Sequence, residues 1–431
     1  MEQGSSIQND HGVHGPTGID MAFAVGFFFS GRWILGLFAV SVLGTETHTS
    51  GSLSLGLNFL VLGVVCIHSL GAGRRTFASM LRLPSLRWVV AFLVFSQISL
   101  AWSSTASLTA SLIYWCGMAA DVAMVILLLR AAPAIDVASS LAKGFIWSTC
   151  LIAIMVWLMP LQPDLRLGNK DFFNTNQIAA LCAFAIFLAQ YLVRRKDGRW
   201  GLAMALLAIT LLRSLSKATL AAFLISQSFL LIMDRSVSRR AKIILTVTAA
   251  ASVFAFWGLI ESYSDVYTNT GNQAETLTGR LGIWAYLLNA AFEKPWIGHG
   301  FNSMWKVIPA FGDFEARHAE NDLLQQFYSY GAVGIVLLTG LYTSLYLQLR
   351  RLSNKPIKMA FFSLLLFILV RGLAEAEPFD PLLPLWAIAL LAILIEQLTS
   401  CEDQPAIAAT SLLPELSTLN DFPSRLSADR R

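Results

Sequence analysis

Apolar runs long enough to cross a bilayer, roughly 17–25 residues each, recur along nearly the whole of this chain of 431 residues. That pattern leaves few folds open, because a bilayer core offers backbone N–H and C=O groups no water to bond, and helices satisfy them internally. Charged residues make up only 13% of the chain, about half the share of a soluble domain. The expected fold class is all-α, a polytopic helical membrane protein of about 12 transmembrane helices. The candidate spans are 21–44, 52–71, 86–102, 107–129, 143–161, 177–193, 200–213, 218–233, 243–260, 323–349, 359–376 and 382–397. A net charge of +4 argues neither for nucleic acid nor for an acidic substrate, since in a membrane protein the placement of charge matters more than its sum.

Placement of charge sets the orientation. With the N-terminus inside, most of the 31 Lys and Arg residues fall in inside loops, among them Arg74, Arg75, Arg130, Arg194, Arg195, Arg239, Arg240, Arg350 and Arg351, as the positive-inside rule requires. The polar stretch 1–20 lacks a basic n-region, so no cleaved signal peptide is expected. Residues 400–431 read as a disordered inside tail. The five cysteines have neither metal-ligand nor redox spacing and read as small buried hydrophobes.

Ten cations are disfavoured by that rule: Arg32, Arg166, Lys170, Arg213, Lys217, Arg280, Lys294, Lys306, Arg317 and Arg371. Arg32, Arg166, Lys294 and Lys306 are expected to snorkel or to be solvated in loops. Arg213 and Lys217 are harder to place. The spans flanking them are short, so their LRSLSKAT turn should lie recessed below the outer surface, where two cations need a watery cavity or an anion.

The longest polar interruption is the outside loop 261–322. Within it, 278–292 is expected to be a helix, with Thr278 as N-cap, an apolar stripe of Leu281, Trp284, Leu288 and Phe292, and a stop at Lys294-Pro295. Arg280 stands in its first turn. A cation there opposes the helix dipole and, with the free N–H groups, would hold an anion; pairing with Glu275 is the plainer alternative. Residues 316–349 are expected to form one continuous helix, putting His318 and Asp322 on a shared face and Glu320 on nearly the opposite one, with Glu320 paired to Arg317. Gly331, Gly334 and Gly340 would permit close helix contacts. A surface capping role is the plainer reading of this cluster.

TGRLGIW, then PWIGHGFNSMW, then HAENDLLQQFYSYGAVG resemble the O-antigen ligase and polymerase superfamily, which includes exopolysaccharide polymerases. Its members look like (S/T)GR-x-x-x-W, a P-x-x-G-x-G turn, and HAHN-x-x-L before a glycine-containing helix start. SLSKATL and FFNTNQIAAL resemble earlier segments of the same family, so the likeness covers about 160–345. It implies a transmembrane glycosyltransferase domain over 21–399 in the bacterial inner membrane, with 261–322 in the periplasm and the active site facing it. The implied reaction moves a glycan from undecaprenyl diphosphate to an acceptor hydroxyl, on an acceptor glycan or lipid A core, without cofactor or metal.

Under that resemblance Arg280, Arg317, Arg213 and Lys217 form a diphosphate clamp, since arginine holds such oxyanions through two parallel bonds. His318 or Glu320 is the base, with Asp322 orienting the imidazole. Glu320 replaces the second His of HAHN, and Lys217 stands where many members have Arg. The alternative function is a lipid-linked glycan flippase or transporter, although no internal repeat points to inverted halves.

Overall fold

The structure, a computed structural model, describes residues 18–41, 47–69, 76–160, 166–168, 174–234, 277–304, 318–376 and 385–400, with isolated positions between 238 and 251 and at 307. Among these residues every regular element is a helix: α1 Gly18–Ser41, α2 Thr47–Ser69, α3 Phe77–Met80, α4 Pro84–Ile98, α5 Leu108–Ala131, α6 Ala134–Leu158, α7 Thr175–Arg194, α8 Gly201–Ser214, α9 Lys217–Met233, α10 Leu277–Glu293, α11 Asp322–Arg351, α12 Lys355–Gly372 and α13 Leu385–Ser400. Six are long and apolar enough to cross a membrane: those covering Gly18–Gly36, Pro84–Trp102, Leu108–Ala131, Ala134–Leu158, Thr175–Arg194 and Asp322–Arg351. Most of the expected span 243–260 lies outside the described residues, as do the tail, Lys170, Lys306, Arg317 and Cys401.

Helix starts are set by capping. Ser107 accepts from Ala110 N, Asn321 from Leu324 N and Asn354 from Ile357 N, each satisfying one N–H that the first turn leaves without a helical partner. Asn174 and Gln177 form a reciprocal capping box at the start of α7. The helices then pack through small residues and interhelical hydrogen bonds. A Cβ on Gly26 would strike Leu141 O, and one on Gly144 would strike Phe23 O, so α1 and α6 meet backbone to backbone. Ser85 bonds Gln348 at 2.6 Å between α4 and α11, and Ser363 bonds Ser226 O at 2.6 Å between α12 and α9.

Arg32 departs from its expected place. Its Nη1 lies 2.9 Å from Asp121 Oδ2, whose other oxygen accepts from Asn58 Nδ2 at 3.1 Å. The guanidinium is turned into the bundle between α1, α2 and α5, because a buried carboxylate there outweighs snorkelling. Cys150 and Cys182 are buried as expected, whereas Cys66 and Cys116 are only partly so.

The long helix α11 is broken. Gly331 has φ +61° and ψ −150°, a conformation open essentially to glycine alone. The backbone groups freed by the break are taken by the PWIGHG turn. Ala332 N donates to Pro295 O at 2.7 Å, Val333 N to Trp296 O at 3.2 Å, His299 N to Tyr328 O at 3.0 Å and Gly300 N to Ser329 O at 2.8 Å. Irregular backbone inside a helical bundle persists only where it is satisfied in this way.

Candidate functional site

Five segments meet at one end of the bundle: the start of α7, the α8–α9 turn, the first turns of α10, the turn 318–321 and the end of α12. Thr175 Oγ1 bonds Ser214 O at 2.6 Å, joining α7 to the α8–α9 turn. Asn321, besides capping α11, donates from Nδ2 to Leu373 O at 2.9 Å, joining 318–321 to the end of α12. Trp284 donates to Ala319 O at 2.8 Å, and Ala319 N donates to Gln325 Oε1 at 2.9 Å. Trp284 lies one helical turn after Arg280, so one face of α10 both carries the arginine and pins the turn.

Arg280 of α10 joins two of these segments, the end of α12 and the turn 318–321. Its Nη1 donates to Ala374 O at 2.6 Å. Its Nη2 lies 3.1 Å from Glu320 Oε2 and 3.5 Å from Glu375 Oε1. Glu320 Oε1 is 3.4 Å from His318 Nδ1. Glu375, almost fully buried, also accepts from Asn176 Nδ2 at 2.9 Å, and Asn176 Oδ1 accepts from Ser216 Oγ at 2.8 Å. Arg371 is buried beside this chain, its Nε donating to Thr219 Oγ1 at 3.0 Å.

Glu375 lies beyond the end of α12 at Gly372, short of the expected span limit of 376. Burial pushes its carboxyl up to about 7, and the charge of Glu320 adds to that; Arg371, Arg280 and His318 act in the opposite sense.

The expected helix over 316–349 begins only at Asp322. Asn321 takes the cap, and Glu320 has φ +52°, which ends any helical continuity before it. The separation of His318 from Glu320 by helix geometry therefore fails, and the two side chains meet. Asp322 does not share a helical face with His318. It is buried at the start of α11, accepts from Gln326 Nε2 at 3.2 Å and packs beside Gly372. Glu320 pairs with Arg280; Glu275 and Arg317, the expected partners of Arg280 and Glu320, lie outside the described residues.

Arg213 is buried in the last turn of α8, and Lys217 is exposed at the start of α9. Leu215 between them has φ +57°, the left-handed residue that lets so short a turn close. The α10 helix starts at Leu277, so Thr278 is inside it. Its buried face is Ile283, Leu287 and Ala291. Leu281, Leu288 and Phe292 of the expected stripe point outward, Phe292 being 62% exposed. His299 is structural: its Nε2 donates to Ala290 O at 2.9 Å and its ring stacks on Tyr328 at 4.5 Å.

Sequence reasoning missed Glu375, Asn176 and Ser216. The second Asn of FFNTNQ and the acidic residues close after Arg371 were the available signals.

Residues 202–339 match the O-antigen ligase family. That segment contains Arg213, Lys217, Arg280, His318, Glu320 and Asp322. Over that segment the chain is similar to the O-antigen ligase and polymerase superfamily. The chain is also similar to the exopolysaccharide production protein ExoQ of Rhizobium meliloti, 25% identical over 329 residues, which span 69% of this chain and 74% of the relative.

Proposed function

We propose that this protein transfers a glycan from undecaprenyl diphosphate to an acceptor hydroxyl at the outer face of the bacterial inner membrane, in the biosynthesis of surface polysaccharide. Residues 21–399 form the transferase domain with about 12 membrane-spanning helices, 261–322 is its periplasmic loop, and 400–431 is a cytoplasmic tail. The acceptor is a growing glycan or lipid A core. The match of residues 202–339 to the O-antigen ligase family and the likeness to an exopolysaccharide production protein favour this reading over a flippase.

The observation that carries it is Arg280 held between the end of α12 and the turn 318–321, with His318 and Glu320 beside it. A sugar diphosphate is already a good leaving group, so the protein's task is to stabilise the charge that develops on it and to take a proton from the acceptor hydroxyl. Arg280, Arg317, Arg213 and Lys217 supply positive charge for the first task. In the structure Arg280 is held by two carboxylates and a carbonyl, groups of the same chemistry as diphosphate oxygens. His318, with Glu320 at its Nδ1 side, is suited to the second. Neither task calls for a cofactor or metal.

The test replaces Arg280 in a strain lacking its own copy of the gene, with surface polysaccharide as readout. Arg280→Ala abolishes transfer while the protein remains inserted, and Arg280→Lys restores only part, because lysine keeps the charge but loses the planar fork. Wild-type polysaccharide from Arg280→Ala would remove Arg280 from the clamp.

A further inference from the structure

The site's contacts converge on a carboxyl that none of the motifs contains. Glu375 Oε1 takes the Asn176 amide at 2.9 Å and lies 3.5 Å from Arg280 Nη2. Its neighbour Ala374 offers the carbonyl that receives Arg280 Nη1 at 2.6 Å. Beyond Asn176 the chain of bonds runs through Ser216 Oγ at 2.8 Å to Thr219 Oγ1, 3.1 Å from it. Thr219 in turn accepts from Arg371 Nε. Arg371 O then accepts from Glu375 N at 3.0 Å, which closes the circuit on the residue where it began.

Two parts of the cationic set depend on this circuit. Arg280 arrives on α10, a helix separated from α9 by more than forty residues of chain, and must be fixed to the bundle. Arg213 and Lys217 flank the turn in which Ser216 sits. We propose that Glu375 is a positioning residue for glycan transfer: one buried carboxyl that seats Arg280 and, through Asn176 and Ser216, aligns the turn bearing Arg213 and Lys217 toward the same diphosphate. This rests on the transferase reading given above.

The carboxyl is suited to that work by hydrogen bonding more than by charge. Its burial holds it protonated for much of the time near neutral pH, with Arg280 facing it from α10, His318 and Glu320 from the turn before α11, and Arg371 from α12. A glutamine keeps an acceptor for Asn176 and Arg280 and should substitute for it; an alanine should not.

The test measures binding of undecaprenyl diphosphate to the full-length protein in lipid nanodiscs, which needs neither the glycan nor the acceptor. Glu375→Ala weakens binding by about tenfold, the loss of a charge-assisted contact, and Glu375→Gln recovers to within about threefold of wild type. In an Arg280→Ala background, Glu375→Ala costs less than it does alone, because its seating of Arg280 is already lost and only its alignment of the turn bearing Arg213 and Lys217 remains to lose. A general loosening of the fold would add its full effect. Wild-type affinity in Glu375→Ala, or full additivity with Arg280→Ala, overturns the proposal. Should Glu375→Ala not fold, Asn176→Ala takes its place under the same two criteria. If Arg280→Ala itself binds undecaprenyl diphosphate like wild type, the clamp reading fails instead, and the two failures are told apart.

Discussion

Glu320 stands at φ +52°, a left-handed backbone uncommon for a side chain of its kind, and that angle decides what His318 can do. A helical 316–322 would have turned the two side chains away from each other. Instead the carboxylate bridges His318 at 3.4 Å and Arg280 at 3.1 Å. Strained backbone of this sort persists where surrounding structure holds it, here Asn321 on Leu373 O and Trp284 on Ala319 O. On the proposed transferase reading, Glu320 takes the orienting role expected of Asp322 and His318 is the base. His318→Ala is expected to lower turnover by roughly 10²–10⁴ with undecaprenyl diphosphate binding intact, and Glu320→Gln to lower it less. Turnover of both variants on one purified lipid-linked donor decides the matter: if Glu320→Gln is the dead enzyme and His318→Ala the active one, Glu320 is the base. At this scale the sequence was readable where spacing sets position, as with Arg280 in the first turn of a helix and Trp284 one turn on. It was silent on Glu375, because a carboxyl in a turn after a helix has no local signature. Its meaning comes from Asn176 and Arg280, remote in the chain.

At the scale of elements, periodicity and apolar length located the helices but not their breaks. The α6 helix starts at Ala134, well before the expected 143, because Lys143 is a helical residue paired with Asp197 at 2.8 Å. A lone lysine in an apolar run does not mark a loop when a partner meets it. The break in α11 was equally hidden. Gly331, expected to ease contact between helices, serves to reverse the backbone, and the PWIGHG turn is the partner the break requires. A Cβ at Gly331 would strike the Trp296 carbonyl carbon and come within 2.6 Å of Pro295 O, in addition to the strain of a positive φ. Gly331→Ala should therefore combine backbone strain of about 1–3 kcal/mol with loss of the bonds to Pro295 and Trp296. The expected outcome is a lowered melting temperature in detergent and loss of transfer. Gly282→Ala, on a helix face where a Cβ meets nothing within 4 Å, should leave the melting temperature unchanged or raise it. Equal melting of the Gly331 variant and wild type would mean that α11 runs unbroken in the membrane.

For the whole molecule, the decisive property is that the two ends of the bundle differ in kind. Running from their capped starts, α7 ends at Arg194 and α11 at Arg350 and Arg351, while α12 begins with Lys355 and Lys358. Arg194 there meets Asp234 at 3.1 Å, and Lys358 bonds Arg350 O at 2.7 Å. The end carrying Arg280 is the opposite one, since α7, α9 and α11 start there and α8 and α12 finish there. Basic residues gathered at one end favour keeping that end in the cytoplasm, which would leave the site facing out, toward the periplasm. This reading was available in the sequence because it depends on counts along the chain rather than on packing. It can be checked with two exposed lysines at opposite ends, in a background without the native cysteines. Lys294→Cys, just beyond α10, should react with a membrane-impermeant thiol reagent in cells whose outer membrane has been made permeable. Lys355→Cys, at the start of α12, should react only after the inner membrane is opened. The reverse pattern would turn the molecule over and put the Arg280 site in the cytoplasm, where the proposed periplasmic transfer could not occur.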